Sequence, residues 1–567
     1  VLKILSAFTT LLWLVCPLVS VARGQVVVVP ATPQVGSSNP VSAEPQVPHP
    51  DTKPCVVPLM TNAAFENYNG TPLSYAPPAA CPGPWAKVIL KADFTVTAGV
   101  QYDRSAWFYL GDVNIFYGTT AEPGSTLSPS WQIERDVTDL SALFKSSQTG
   151  LASIGNTVNS TYTGIIYASA SLEFYPATRF DPPPVVPDIV EPVSSGNGPG
   201  TLNTGADQVT ETVTLPRNVE KVYLDVIAQS QIGDEFWYFC VPNDQTGPLE
   251  SCGNTAFRET EISIDGKAAG VAPVYPWIFT GGLDPYLWIP ITGVQTLNFK
   301  PYRVDLTPFA GVLGDGSQHT VAISVYNANG YFLATGNLLV YTDHGSEEVN
   351  GEVTSNTLSA EPNPQVTEDL TTTNGVTTGT VSVGSNRSFS ITGYVNTSHG
   401  RVETTVEQKV DFLSTQTFNV NANTGYELQN AVQTSTVDSE TTTRSGIKVE
   451  TLKKHISYPL TVDYAFAANA DGTYTQAVTS DQQDLSNEAL TLNGFPVYGS
   501  ETQEQVKSTD TLQYTASFSL AAPGVGNSSA SYSSRNSLGE CYSESLAAAN
   551  HVLTSVTNGK GCERWQF

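Results

Sequence analysis

From Asp181 the chain reads Asp-Pro-Pro-Pro-Val-Val-Pro-Asp-Ile-Val-Glu-Pro. Proline fixes φ and lacks an N–H, so this run can continue neither a helix nor a central strand. We read it as a tether, with separate folding units on either side. Both sides carry short runs of Val, Ile, Thr and aromatic residues divided by turn signals, the pattern of antiparallel β structure. Before the tether, residues 88–96 and 106–110 read as strands, and Gly111-Asp112 turns the chain into 113–117. After it, 221–228 reads as a largely buried strand, and 261–264 ends at Asp265-Gly266, a strong hairpin signal. Residues 320–325 and 337–341 look like closing strands.

A chain of 567 residues is too long for one core. The expected division is 1–24, signal peptide; 25–54, disordered or pro region; 55–180, first β-sandwich; 181–200, linker; 201–343, second β-sandwich; 344–380, polar linker; and 381–567, a β-rich region. Within the last, only residues near 540–553 look helical. The signal rests on Lys3, the apolar run Ile4 to Val21 and small residues at 20–22. It implies a secreted, extracellular or cell-wall protein without stable membrane insertion. With 26 basic and 53 acidic residues the formal charge is −27, which repels phosphate backbones and makes nucleic acid a poor partner.

Outside the signal stand Cys55, Cys81, Cys240, Cys252, Cys541 and Cys562. In an exported chain they suggest three disulfides, and many pairings are open. The nearest-neighbour set, 55–81, 240–252 and 541–562, closes short local loops and is the expectation. No Cys-x-x-Cys occurs and the histidines are scattered, so no metal site is expected. Asn69, Asn159, Asn386, Asn396 and Asn527 lie in glycosylation sequons.

No serine-nucleophile elbow is present, and the glycine triplet at 196–200 has no following helix to hold a dinucleotide. What remains is carboxylate chemistry. Asp103, Glu122, Glu134, Asp234, Glu235, Glu259 and Asp284 sit beside aromatics at apparent strand ends. A carboxyl group so placed can have a raised pKa and transfer protons. Each has a structural alternative. Asp103-Arg104 can be a solvated ion pair in a turn, Asp234 can satisfy turn amides, Arg258 and Glu259 can pair across a strand, and the tryptophans can be core.

Three sequence blocks tie these residues together. They are Val100-Gln-Tyr-Asp-Arg104 with Thr119-Thr-Ala-Glu-Pro123; Trp131-Gln-Ile-Glu-Arg-Asp-Val-Thr138; and Asp234-Glu-Phe-Trp-Tyr238 with Phe257-Arg-Glu259 and Thr280-Gly-Gly-Leu-Asp-Pro-Tyr-Leu-Trp-Ile-Pro-Ile291. In these the chain resembles the plant and fungal peptide-N-glycosidase A amidases. The resemblance implies an all-β fold of tandem antiparallel β-sandwich, jelly-roll-like domains plus a further β-rich C-terminal region. It implies hydrolysis of the amide between an N-glycan and asparagine, with N-glycosylated peptides or proteins as substrates and no cofactor. The paired-carboxylate spacing rule of glycosidases does not apply to an amide. On this reading Asp103 is the primary acid/base and Arg104 orients it or the carbonyl. Glu235 and Glu259 assist from the second domain. Glu122, Asp234, Arg258 and Asp284, with the rings of Trp237, Trp277 and Trp288, contact substrate. The competing readings are a non-catalytic secreted carbohydrate-binding protein and a cell-wall glycoprotein.

Overall fold

The computed structural model describes residues 33–522 and 524–559. The signal segment and Cys562 lie outside the described residues. The protein is all-β. The first unit is a sandwich of two four-stranded sheets. One is ordered Cys55–Phe65, Ile166–Pro176, Trp85–Val96, Ser130–Asp136; the other Thr71–Tyr75, Gln148–Ile154, Ser105–Leu110, Val113–Thr119. Alternate residues of each strand point inward, as the pleat requires. Phe94 stacks on Trp131 at 5.2 Å and Phe108 meets Phe116 at 4.9 Å to fill the space between the sheets. The Cys55–Cys81 disulfide ties the first strand to the loop before Trp85.

The second unit is also a sandwich. Its first sheet runs Gly200–Thr204, Asn329–Thr342, Val219–Ser230, Tyr302–Asp305; its second runs Val209–Val213, His319–Tyr326, Glu259–Ile264, Lys267–Pro273. Asp265 and Gly266 both have positive φ (50° and 71°) and close the expected hairpin. The proline run is less of a tether than its sequence suggests. Ile189–Val193 pairs with Val340–Gly336 as an edge strand, a place where Pro192 interrupts no ladder on its outer side. Cys240–Cys252 forms the second disulfide.

The C-terminal third is one 12-stranded antiparallel sheet. Its strands Val376–Thr397 and Gly400–Asn421 have 22 residues each, about 70 Å at the usual rise. One face is buried in strict alternation and covers the second sandwich. That face mixes valines with glutamines because it meets loops, whose carbonyls need donors. Gln416 and Gln429 donate to Cys240 O and Phe239 O, Gln482 to Pro276 O, and Gln476 to Leu283 O.

Three expectations are corrected. Residues 344–380 are not only linker: Asn350–Asn356 and Gln365–Thr373 are strands, and Asn374-Gly375 turns the latter into the next. Residues 540–553 are not helical. Cys541–Ala549 is a strand in which Glu544, Leu546 and Ala548 are buried, a period of two that pairing with 527–536 imposes over the helix propensity of Leu and Ala. The part of 25–54 that is described is ordered. Gly36 N–H donates to Leu553 O, Val41 bridges Ile291, Glu44 pairs with Lys300, and Val47 N–H donates to Glu134, so this arm crosses all three units.

Candidate active site

The hairpin that turns at Gly111-Asp112 brings Asp103 and Glu122 together. Its ladder pairs Ser105 with Thr119 and is extended by Thr120 N–H to Arg104 O and Arg104 N–H to Thr120 Oγ1, both 2.9 Å. One step beyond, Asp103 N–H donates to Glu122 Oε2 at 3.1 Å.

The second sandwich closes on this pair. Gly281 N–H donates to Asp103 Oδ2 at 2.7 Å. A Cβ on Gly281 would lie 2.0 Å from Glu122 Oε2 and 3.2 Å from Asp103 Oδ2, so only glycine lets the backbone approach both acids. Thr280 Oγ1 donates to Thr120 O, and Trp288 Nε1 donates to Gly282 O within the loop. Gln476 of the C-terminal sheet holds Leu283 O of the same loop at 2.8 Å. Across the interface Tyr117 and Ser105 share hydrogen bonds with Gln229, and Gln231 Nε2 donates to Ser105 Oγ.

Glu235 follows a tight turn. Its neighbour Asp234 is fully buried, accepts from Arg258 Nε (3.1 Å) and Nη2 (2.7 Å), and takes Asn329 N–H on its other oxygen. This clamp spends the polar atoms of Asp234 on structure and fixes the backbone before Glu235. Burial raises the Glu235 carboxyl to about 7, helped by the charge of Asp103. Burial and Asp103 raise Glu122 likewise to about 7. Asp103 is itself raised by burial, opposed by the Gly281 hydrogen bond and Arg104. Burial first and the Asp103 charge second disfavour ionisation of Glu122 and Glu235, so both hold protons up to near neutrality.

Arg104 binds Tyr102 O and Asp103 O through Nη1 and Gln101 Oε1 through Nη2, rather than the Asp103 carboxylate. Its guanidinium lies over the Tyr102 ring, which packs edge-on against Tyr162 at 4.7 Å. Tyr68, 71% exposed, completes this aromatic group through its phenol contact with Tyr102.

Other expected site residues lie elsewhere. Glu259 does not join the cluster. Its strand register turns it to the face covered by the C-terminal sheet, where it is 2% exposed and ion-paired with Arg387. Trp237, Trp277 and Trp288 are buried in the core, against Phe412, Phe299 and the 282 carbonyl, and present no ring face to solvent. Asp284 is buried and caps its own turn through Tyr286 N–H. Glu134 pairs with Lys91. Tyr102 and Gly281 stood inside motifs already singled out. Tyr68 and Tyr162 carried no local signal, because only folding brings their loops beside Arg104. Among the described residues no cluster of three or more His, Cys, Asp or Glu could hold a metal ion.

The fold and this site define an all-β protein with a carboxylate cluster built across the seam of two sandwiches. Residues 40–359 match the family model "Peptide N-acetyl-beta-D-glucosaminyl asparaginase amidase A", and the chain belongs to that family. It is 29% identical over 450 residues to "Peptide-N4-(N-acetyl-beta-glucosaminyl)asparagine amidase A" of Prunus dulcis, covering 75% of this chain and 77% of that protein. Among solved structures it is similar to PNGase F, a glycosylasparaginase from Flavobacterium meningosepticum (15% identity, TM-score 0.35, 51% of this chain and 96% of that one). It is also similar to PNGF-II, in the C2 form (14% identity, TM-score 0.35, 52% and 66%).

Proposed function

We infer that the Asp103–Glu122–Glu235 cluster hydrolyses the amide joining an N-glycan to asparagine. The chain is an N-glycan–asparagine amidase, a peptide-N-glycosidase by family. The observation that carries the assignment of the site is the convergence of acids from both sandwiches on Asp103, two of them held protonated to about pH 7.

The reaction needs a base for water and an acid for the departing nitrogen. Asp103, which accepts the Gly281 N–H and has Arg104 beside it in sequence, serves as the base. Water adds to the amide carbonyl carbon as Asp103 takes its proton. Glu235, still protonated, gives its proton to nitrogen as the C–N bond breaks. The products are aspartate in the peptide and a glycosylamine. Glu122 steadies Asp103 by accepting the Asp103 N–H, and Arg104 fixes the carbonyls of Tyr102 and Asp103. The tyrosines beside Arg104 supply ring faces and hydroxyls for sugar, the part first given to the tryptophans.

The disulfides and the sequons support passage through an oxidising, secretory compartment. Among the described residues no helix is long and apolar enough to cross a membrane. A non-catalytic sugar-binding protein needs ring faces but no coupled acids, and is the weaker reading.

The test is mass spectrometry of an N-glycopeptide incubated with the protein in heavy-oxygen water at mildly acidic pH. The expected result is free glycan and an aspartate carrying one labelled oxygen. An unchanged glycopeptide across several substrates and pH values sinks the assignment.

A further inference from the structure

The arm ahead of Cys55 runs beside the loop that carries Gly281. Between 33 and 43 it reads Pro-Gln-Val-Gly-Ser-Ser-Asn-Pro-Val-Ser-Ala, without a charged side chain. Pro33 and Pro40 suit it to no sheet interior. It is fixed instead by contacts to every unit. Asn39 Oδ1 accepts Ser130 N–H of the first sandwich at 3.1 Å. Val41 N–H donates to Pro290 O at 2.9 Å and Thr292 N–H to Val41 O at 3.2 Å, both in the second. From the C-terminal sheet, Leu553 N–H donates to Ser37 O at 2.9 Å, and His551 O accepts Ser38 Oγ at 2.8 Å. Ala43 is 1% exposed in the core that the second sandwich shares with that sheet.

Three of these contacts bear on the acid cluster. Pro290 and Ile291 end the 280–291 loop, whose first residues hold Thr120 and Asp103. His551, which Ser38 binds, lays its ring against Tyr286 of the same loop at 5.3 Å. Ser38 and Pro40 line one small cavity together with Glu122, Thr280 and Trp288, so the arm walls that side of Glu122 from solvent.

We propose that residues 36–42 are a positioning strap for the acid cluster. Val41 holds the 280–291 loop so that Gly281 reaches Asp103, and Pro40 keeps water from Glu122. This rests on the amidase reading above. The charged and titratable groups facing Glu122 are Asp103 and Arg104 from the first sandwich and Glu235 and Tyr286 from the second. The strap adds none, so it acts on Glu122 by excluding water. Burial is the first cause of the raised Glu122 carboxyl. With the strap displaced, Glu122 ionises at lower pH, and its charge then disfavours ionised Asp103. The acid limb of kcat moves to higher pH.

The test compares wild type with three variants of the full chain on a short N-glycopeptide. Val41→Pro removes the N–H that Pro290 O accepts. Pro40→Gly opens the wall beside Glu122. Glu44→Gln weakens the Lys300 pair further along the arm and touches neither. Circular dichroism and a thermal melt establish that each is folded. In Val41→Pro and Pro40→Gly, kcat is expected to fall roughly 10- to 100-fold, the scale for a misplacement of up to about an ångström. KM should change little, and the acid limb should move upward. Glu44→Gln should keep the wild-type kcat and pH profile. Wild-type kcat and pH profile in folded Pro40→Gly and Val41→Pro overturn the strap, and if Val41→Pro does not fold, Pro40→Gly decides alone. An equal loss of kcat in all three variants with the acid limb unmoved also overturns it, because that is a general loosening of the seam. No hydrolysis by any form, wild type included, overturns the amidase reading and the strap with it.

Discussion

Gly281 N–H, from the second sandwich, lies 2.7 Å from Asp103 Oδ2, from the first. A Cβ at 281 would meet Glu122 Oε2 at 2.0 Å. Because the obstacle is the end of a flexible side chain, Gly281→Ala should fold and displace Glu122. We expect activity to fall roughly 100-fold, the scale for a misplacement of about an ångström, with little change in the unfolding midpoint. Steady-state kinetics beside a thermal melt check this. Wild-type activity in the variant would show that the close approach is not used.

Asp103→Asn should cost about 10²- to 10⁴-fold in kcat, the usual contribution of a positioned acid or base. It should also stabilise the fold at neutral pH. The Asp103 charge opposes ionisation of Glu122 and Glu235, and that opposition disappears in the variant. A variant both inactive and less stable than wild type at neutral pH would argue for a structural role instead.

The protein should be more stable in mild acid than above neutrality. Glu122, Glu235 and Glu427 are raised by burial from 4.5 to about 7, and Asp284 is raised from 3.8 to about 6. A carboxyl raised on folding favours the folded state fully below its unfolded value, and that gain is lost as pH rises through the folded value. The melting temperature should therefore decline as pH rises from about 5 to about 8. Activity should decline over the upper part of that window as Glu235 loses its proton. A melting temperature flat across it contradicts the buried-acid cluster.

Arg387→Met should destabilise the protein by about 3–5 kcal/mol, because it leaves the Glu259 carboxylate buried without its cation. Adding Glu259→Leu should recover much of that loss. Denaturant titration of the single and double variants separates the cases. A neutral single substitution would mean that the pair does not bind the C-terminal sheet to the second sandwich.

Ile232 is β-branched, holds φ at 48°, and is 71% exposed, three residues before Glu235. The left-handed conformation costs a non-glycine residue about 1–2 kcal/mol, so Ile232→Gly should raise the unfolding midpoint. A lower midpoint would mean that the side chain makes contacts outweighing the strain.

How much of this was legible beforehand varies by element. The hairpins at Gly111-Asp112 and Asp265-Gly266 are local, because two consecutive positive φ values ask for those residues. Asn374-Gly375 and Asn493-Gly494 carry the same signal and mark turns of the long C-terminal sheet, which went unrecognised as one body. At Cys541–Ala549 the local Leu and Ala favour a helix, and pairing across the sheet outweighs that propensity. Trp237 and Trp288 looked like sugar platforms because composition cannot say which side of a ring faces water.

The sequence alone determined the all-β class, the turns and the motifs that hold Asp103, Glu122, Glu235 and Gly281. These depend on residues near one another in the chain, or on one face of a strand. Tertiary structure decided which acids act together. Glu235 joins Asp103 across the seam of two sandwiches, whereas Glu259, 24 residues later, turns the other way and is neutralised by Arg387, 128 residues further on. Burial and the charge of a neighbour set a carboxyl's chemistry, and both come only from the packed fold.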